Sequence, residues 1–270
     1  MSKKIAIIIP AYKDTFLENT ILSIEKQTSK NFKLYVCDDA SPFDIEGIVK
    51  RYSHSIDISY IRFSENLGGI DLIAHWNRCI EVVEDEEFIW LFSDDDVMED
   101  NCVEAIDELI ATNVLDEFNV LHFNLRFIDK NNNEICECNP FPPIISIAEF
   151  YYLLYRGRIT ARMPEFVFRA RTLLDSGGFV NFDLAWRSDN ATVMKVGYPN
   201  GVFTIQGKNR SVAWRINEHQ ISSNERLSKR KNDASIDFFN WVSTFFYNRK
   251  ITNPLNKVLQ LKTIVFSVEL

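Results

Sequence analysis

The sequence predicts an α/β fold built on a mainly parallel sheet. Over the first 112 residues, short runs of β-branched and aromatic residues alternate four times with stretches of helical period. That alternation is the signature of parallel strands joined by right-handed crossovers. The polar residues of the same region gather at the carboxyl ends of the runs, where open α/β sheets place their ligand crevice.

Each element follows from its local pattern. Ile5–Ile9 is a continuous apolar run and reads as a buried strand, and Asp14 stands where a helix cap would. Leu17, Ile21, Ile24 and Thr28 then fall on one helical face. Leu34–Cys37 is a second strand, closed by Asp38-Asp39; Asp44–Tyr52 is a short helix and Ile58–Phe63 a third strand. From Gly69 onward, Leu72, Ile73, Trp76, Ile80 and Val83 form a strong helical stripe; Trp76 and His75 could stack on a sugar, but Trp76 lies on the stripe and core packing is the expectation for it. Phe88–Phe92 is the fourth strand, and Val103, Ile106 and Ile110 mark the next helix. The alternation then ends. Asn119–Ile128 reads as a strand, residues 129–133 as a turn, and Phe166–Arg169 and Val202–Ile205 as further short strands. Ser222–Tyr247 and Pro254–Val268 read as amphipathic helices. The expected organisation is an α/β half over residues 1–112, a mixed-sheet half of the same domain over 113–221, and a helical extension over 222–270.

A chain of 270 residues with 46% hydrophobic and 25% charged content fits one large soluble domain. Five cysteines and no signal peptide ahead of Ile5 predict a cytoplasmic protein with free thiols. Cys136 and Cys138 lack a second Cys/His pair, so no zinc site is expected. No apolar stretch reaches the roughly 20 residues that a spanning helix needs. The net charge of −8 is unevenly divided: residues 208–270 hold eleven Lys/Arg and five Asp/Glu, and the other 207 hold 19 and 33. A basic, aromatic-rich tail suits peripheral contact with anionic lipid at the inner face of a membrane; a charged face on ordinary helices explains it equally.

Asp94-Asp95-Asp96 follow the Phe88–Phe92 run with only Ser93 between. Adjacent carboxylates repel and lose hydration near a protein interior, so the cluster calls for a cation. A hard divalent ion that also holds a phosphorylated substrate is the natural partner. The other strand ends agree with that reading. The first delivers Pro10-Ala11-Tyr12, whose ring can stack on a base, and the second delivers Asp39, whose carboxylate can accept an imide N–H. The third delivers Asn66 and the Gly68-Gly69 pair, where backbone can approach ribose or phosphate ahead of a helix start. Neither a Rossmann fingerprint nor a P-loop occurs.

Ile7–Tyr12, Tyr35–Ser41, Glu65–Gly69 and Trp90–Asp96 resemble, in order and spacing, the serial motifs of family 2 glycosyltransferases with the GT-A fold. The likeness is close over about the first 100 residues and looser to about residue 225. It implies a GT-A-like sheet and an inverting transferase that takes a sugar from a nucleotide diphosphate, usually UDP, with Mg2+ or Mn2+. By resemblance, Tyr12 flanks the base, Asp39 bonds it, Asp94 contacts ribose or sugar, and Asp95 binds the metal with Asp96 in support. Ser93 stands where the family often has a first aspartate, which blurs the division of labour among the carboxylates.

Inverting transfer also needs a base for the acceptor hydroxyl. Asp189, in Trp186–Ala191, matches the position of the family's catalytic aspartate; helix capping by Asp189 or Ser188 is the alternative, and Asp183 and Glu165 are secondary candidates. Trp214–Ser222 resembles the family segment that closes over the diphosphate, with Arg215 as a clamp and His219 touching metal or diphosphate. Arg156, Arg158 and Arg162 are candidates for an acceptor cleft, with a surface glycan or lipid-linked intermediate as acceptor. Two other classes fit the aspartates: a metal-dependent phosphohydrolase or phosphotransferase, and a catalytically silent nucleotide-sugar-binding protein.

Overall fold

The computed structural model describes residues 4–112, 114–217 and 220–251. The four expected strands and four helices of the first half are present. They are β1 (Ile5–Ala11), α1 (Leu17–Glu25), β2 (Phe32–Asp38), α2 (Ile45–Lys50), β3 (Ile58–Arg62), α3 (Leu72–Ile80), β4 (Phe88–Leu91) and, after the short β5 (Val97–Met98), α4 (Cys102–Ala111). β3, β2, β1 and β4 pair in parallel. The second half contributes β6 (Val120–Ile128), β7 (Glu134–Glu137), β8 (Ile144–Ile145), α5 (Ile147–Tyr155), β9 (Phe166–Arg169), α6 (Ala170–Asp175), α7 (Ser188–Gly197), β10 (Val202–Ile205), β11 (Ser211–Arg215) and α8 (Ser228–Asn248). The sheet runs β3-β2-β1-β4-β9-β6-β10-β8, with β9 antiparallel to both β4 and β6. β11 leaves that path to pair with β6 and β5.

Strand periodicity explains why β1 is apolar throughout. Ala6 and Ile8 point into one core with Ile73, Phe150 and Phe168, while Ile5, Ile7 and Ile9 point into another with Ile21, Trp90 and Phe123. Both faces are covered, so neither tolerates polar residues. Trp90 ties the two halves together: it stacks on Phe123 at 4.8 Å and donates from Nε1 to the Pro164 carbonyl at 2.7 Å.

Several local expectations are corrected. α1 starts after Phe16 with no side-chain cap, Asp14 offering only its carbonyl to Leu17 N, and Thr28 lies beyond the helix with its N–H on the Asp100 carbonyl. α3 is capped by Asp71, whose carboxylate accepts from Ala74 N, so Gly69 lies ahead of it. Ser222 is not helical: α8 begins at Ser228, after a 3-10 turn capped by Asn224. The α8 aromatics face inward, with Phe238, Phe245 and Phe246 buried against Tyr151, Tyr198 and Phe182. The Pro254–Val268 helix lies outside the described residues, none of which form a helix long and apolar enough to cross a membrane.

Trp90→Phe keeps the ring stack but leaves the buried Pro164 carbonyl without its donor. Denaturant unfolding should show a loss of about 1–3 kcal/mol; an unchanged midpoint would mean that this bond does not join the halves.

Candidate active site

A cleft of about 340 Å³ opens beyond the carboxyl ends of β1 and β4. Pro10, Tyr12 and Lys13 reach it from β1, and Ser93, Asp94 and Asp95 from β4. Trp76 reaches it from α3, so this half-buried ring faces the cleft while packing edge-on against Phe179, whereas His75 is buried and does not line it. The far wall is made by Arg162, Met163 and Pro164, by Leu184–Trp186 with Asp189, and by Trp214 and Gln220.

The three aspartates do different work. Asp94 Oδ2 accepts from the backbone N–H groups of Tyr12 (3.1 Å) and Lys13 (3.0 Å), bolting the β1 loop to β4. Burial raises its pKa and these two amides oppose the rise. Asp95 lines the cleft with one oxygen accepting from Asn217 Nδ2 at 2.7 Å. Burial, then the neighbouring Asp94 charge, push its pKa up to about 6. Asp96 is fully buried and does not line the cleft: its Oδ1 accepts from Arg215 N at 2.9 Å and its Oδ2 has no partner. Burial, then Asp95, hold its pKa well above the carboxylate range.

Arg215 is a strut inside the protein, where a clamp over the cleft was expected. Its side chain is fully buried over the Phe16 ring and donates to the carbonyls of Asp95 (2.7 Å) and Asp129 (2.8 Å) and to Asn132 Oδ1 (2.7 Å). The cations that do line the cleft are Lys13 and Arg162. His219 lies outside the described residues.

Asp39, Asn66, Gly68 and Gly69 form a supporting layer beside the Tyr12 loop and do not line the cleft. The Asp39 N–H donates to the Ala11 carbonyl, while its buried carboxylate accepts from Leu67 N (2.9 Å), Gly68 N (2.8 Å) and Arg78. Asn66 Oδ1 accepts from Gly69 N at 2.7 Å. Gly68 is required by closeness, since a Cβ there would lie 2.7 Å from Asp39 Oδ2. Tyr12 remains available, the residue 39% exposed at the cleft and its carbonyl held by Ser41 Oγ at 2.6 Å.

Asp189 sits in the first turn of α7 and faces the cleft. It does not cap the helix: the capping position is Arg187, and Asp189 Oδ1 accepts only from the adjacent Asn190 N at 2.8 Å. Ser188 Oγ instead accepts from Phe182 N. Burial raises the Asp189 pKa, and the charges of Arg162 and Arg187 act against it. The wall leading to it is strained, with Leu184, Ala185 and Arg187 all left-handed (φ 60°, 54° and 69°). Such residues cost on the order of 1–3 kcal/mol each and cluster at functional sites. Of the secondary candidates, Asp183 is tied up by Arg230, and Glu165 is buried with its Oε1 accepting from Arg162 N at 2.5 Å. No group of three His, Cys, Asp or Glu able to hold a metal occurs among the described residues. Asp95, which lines the cleft with a raised pKa, is the carboxylate whose chemistry suits a divalent cation there.

Because the folded pKa of Asp95 exceeds its ordinary value, stability is lost progressively as pH rises from about 4 to about 6, the full cost is present above about 6, and nothing is lost below about 4. Asp95→Asn should thus raise the Tm of the metal-free protein at pH 8, by about 2–4 °C for each kcal/mol relieved, and leave it unchanged at pH 4. Thermal unfolding at the two pH values checks this; equal shifts would place the carboxylate in solvent.

Residues 6–134 match the family model described as "Glycosyl transferase family 2". No curated protein matches the sequence. Among solved structures, S. aureus TarS 1-349 in complex with UDP-GlcNAc is similar, at a TM-score of 0.65 and 18% identity over 90% of this chain and 73% of that one. The mannosyltransferase PcManGT from Pyrobaculum calidifontis, in complex with GDP-Man and Mn2+, aligns at a TM-score of 0.61 and 12% identity over 96% and 69%. That segment, just under half of the chain, resembles the family 2 glycosyltransferases, and the fold is similar to that of GT-A glycosyltransferases such as TarS.

Proposed function

We propose that the chain transfers a sugar from a nucleotide diphosphate, UDP first among the candidates, to an acceptor hydroxyl with inversion. One observation carries the reading: Asp94-Asp95 and Asp189, nearly a hundred residues apart in sequence, line a single cleft. The donor corner is Tyr12, Lys13, Asp94 and Asp95. Tyr12 offers a face to the base, and Lys13 offers a charge to the diphosphate. TarS with UDP-GlcNAc and PcManGT with GDP-Man and Mn2+ support a nucleotide-sugar donor and a divalent ion without fixing the base. Asp95 would hold that Mg2+ or Mn2+, which supplies charge neutralisation for the departing diphosphate.

Asp189 is the base in this reading. It takes the proton from the acceptor O–H while that oxygen forms its bond to the anomeric carbon. The carbon's bond to the phosphate oxygen breaks on the opposite face, and the electron pair leaves with the diphosphate. Arg162, Trp186 and Trp214 form the acceptor end. We place the reaction in the cytoplasm, a reading supported by the free cysteines, and on an acceptor of surface glycan assembly, a reading supported by the family resemblance.

Asp189→Asn should cut transfer by about 10²–10⁴-fold while UDP affinity, measured by calorimetry with Mn2+, stays within a few-fold. Equal activity in the variant would sink the assignment and favour a silent binding protein. Since burial raises the Asp189 pKa, the base becomes ionised only at a higher pH than a solvated aspartate does. The acid limb of kcat/KM should accordingly lie above the ordinary carboxylate range, and a rate flat down to pH 4 would contradict it.

A further inference from the structure

Resting on the transferase reading, we propose that the acceptor end of the cleft is built for an anionic acceptor, a glycan or carrier bearing phosphate or carboxylate groups, met by Arg162 on the cleft wall and by Arg187, which lies outside the lining next to Trp186, beside Asp189. The half-buried arginines elsewhere are partnered. Arg78 pairs with Asp39, Arg169 with Glu87 and Arg210 with Glu108. Arg162 and Arg187 form no ion pair among the described residues, and the Nε of each is buried without a hydrogen-bond partner. Arg162 lies over the Trp214 ring at 5.2 Å on the cleft wall, its guanidinium donating only to its neighbour's carbonyl, Ala161 O. Arg187 has a single long contact, Nη1 to Asn190 Oδ1 at 3.4 Å, next to the cleft-lining Trp186.

An unpaired guanidinium out of water is costly, and oxyanions satisfy its donors with matching geometry. The local carboxylates do not balance these charges. Asp189 is one acid acted on by two arginines. Glu165 accepts from the Arg162 N–H, and burial drives it toward its neutral form; His122, 3.4 Å from it, is held neutral by burial, its pKa lowered to about 3. With Asp189 ionised the acceptor end keeps a net positive charge. Lys231, over the Trp186 ring at 5.1 Å, extends that charge to the rim. Donor charge is handled in the other corner, by Lys13 and the ion at Asp95.

The test uses the full chain loaded with UDP and Mn2+ and three probes of similar length: a neutral maltooligosaccharide, an oligogalacturonate and a glycerol-phosphate oligomer. At least one anionic probe should bind about tenfold or more tighter than the neutral one, and that preference should fade as NaCl rises from 50 to 300 mM. Which of the two binds tighter tells carboxylate from phosphate. Arg162→Gln and Arg187→Gln should each abolish the preference, whereas Arg187→Lys, which keeps the charge and guards against a folding defect, should retain part of it. Equal binding of neutral and anionic probes by the wild type, with UDP bound, overturns the proposal and leaves the transferase reading standing; failure to bind UDP would strike that reading first. Arginines serving only to keep Asp189 ionised would alter turnover of neutral and anionic acceptors alike, and that outcome also overturns it. So would loss of UDP affinity in Arg162→Gln as large as its loss of the anionic probe.

Discussion

Everything at the β1–β4 end of the cleft depends on how three adjacent carboxylates are held at the edge of a protein core. Arg215 does most of that work. Its N–H binds Asp96, its Nε binds the Asp95 carbonyl, and its remaining donors anchor the 129–133 turn. Asp94 is meanwhile fastened to the Tyr12 loop. Asp96 thus serves the backbone away from the cleft, Asp94 serves it at the cleft edge, and Asp95 keeps an oxygen toward the cleft. The cost is visible in the raised pKa of Asp95, since a group held where its charged form is disfavoured is a group prepared for a cation.

The Asp189 side of the cleft rests on a different constraint. Asp189 is presented by a segment with three left-handed residues, kept in place by the Ser188 and Thr192 hydroxyls on Phe182 N and Val180 N and by Trp186 Nε1 on Ser235. α8 packs over this segment through Phe238 and Phe182. The aromatic residues of α8 thereby stabilise the wall that carries Asp189, which accounts for their density by packing within the fold.

The first half was legible in the sequence because β1 to β4 are buried on both faces and the intervening helices carry clean stripes. The strand-end rule then led directly to Tyr12, Asp94 and Asp95. The second half was opaque for a physical reason. β5, β7, β8 and β11 are two to five residues long and exist only by pairing with β6, β10 or one another, which no local pattern records. Arg215 shows the same limit: its type suits phosphate, and only its burial reveals that backbone carbonyls have claimed it. Asp39 likewise carries the right chemistry in a supporting position. Lys13, adjacent to Tyr12, was readable and missed; the pairing of Arg162 with Arg187 was not readable, because it depends on how the 183–187 turn folds back.

The division of labour among the aspartates is the central claim, and a crystal structure with UDP and Mn2+ recorded at the manganese edge tests it most directly. The account predicts one anomalous peak bridging an Asp95 carboxylate oxygen and the diphosphate, with Arg215 still bonded to the carbonyls of Asp95 and Asp129. A metal seated on Asp96, or an Arg215 side chain swung onto the diphosphate, would contradict it.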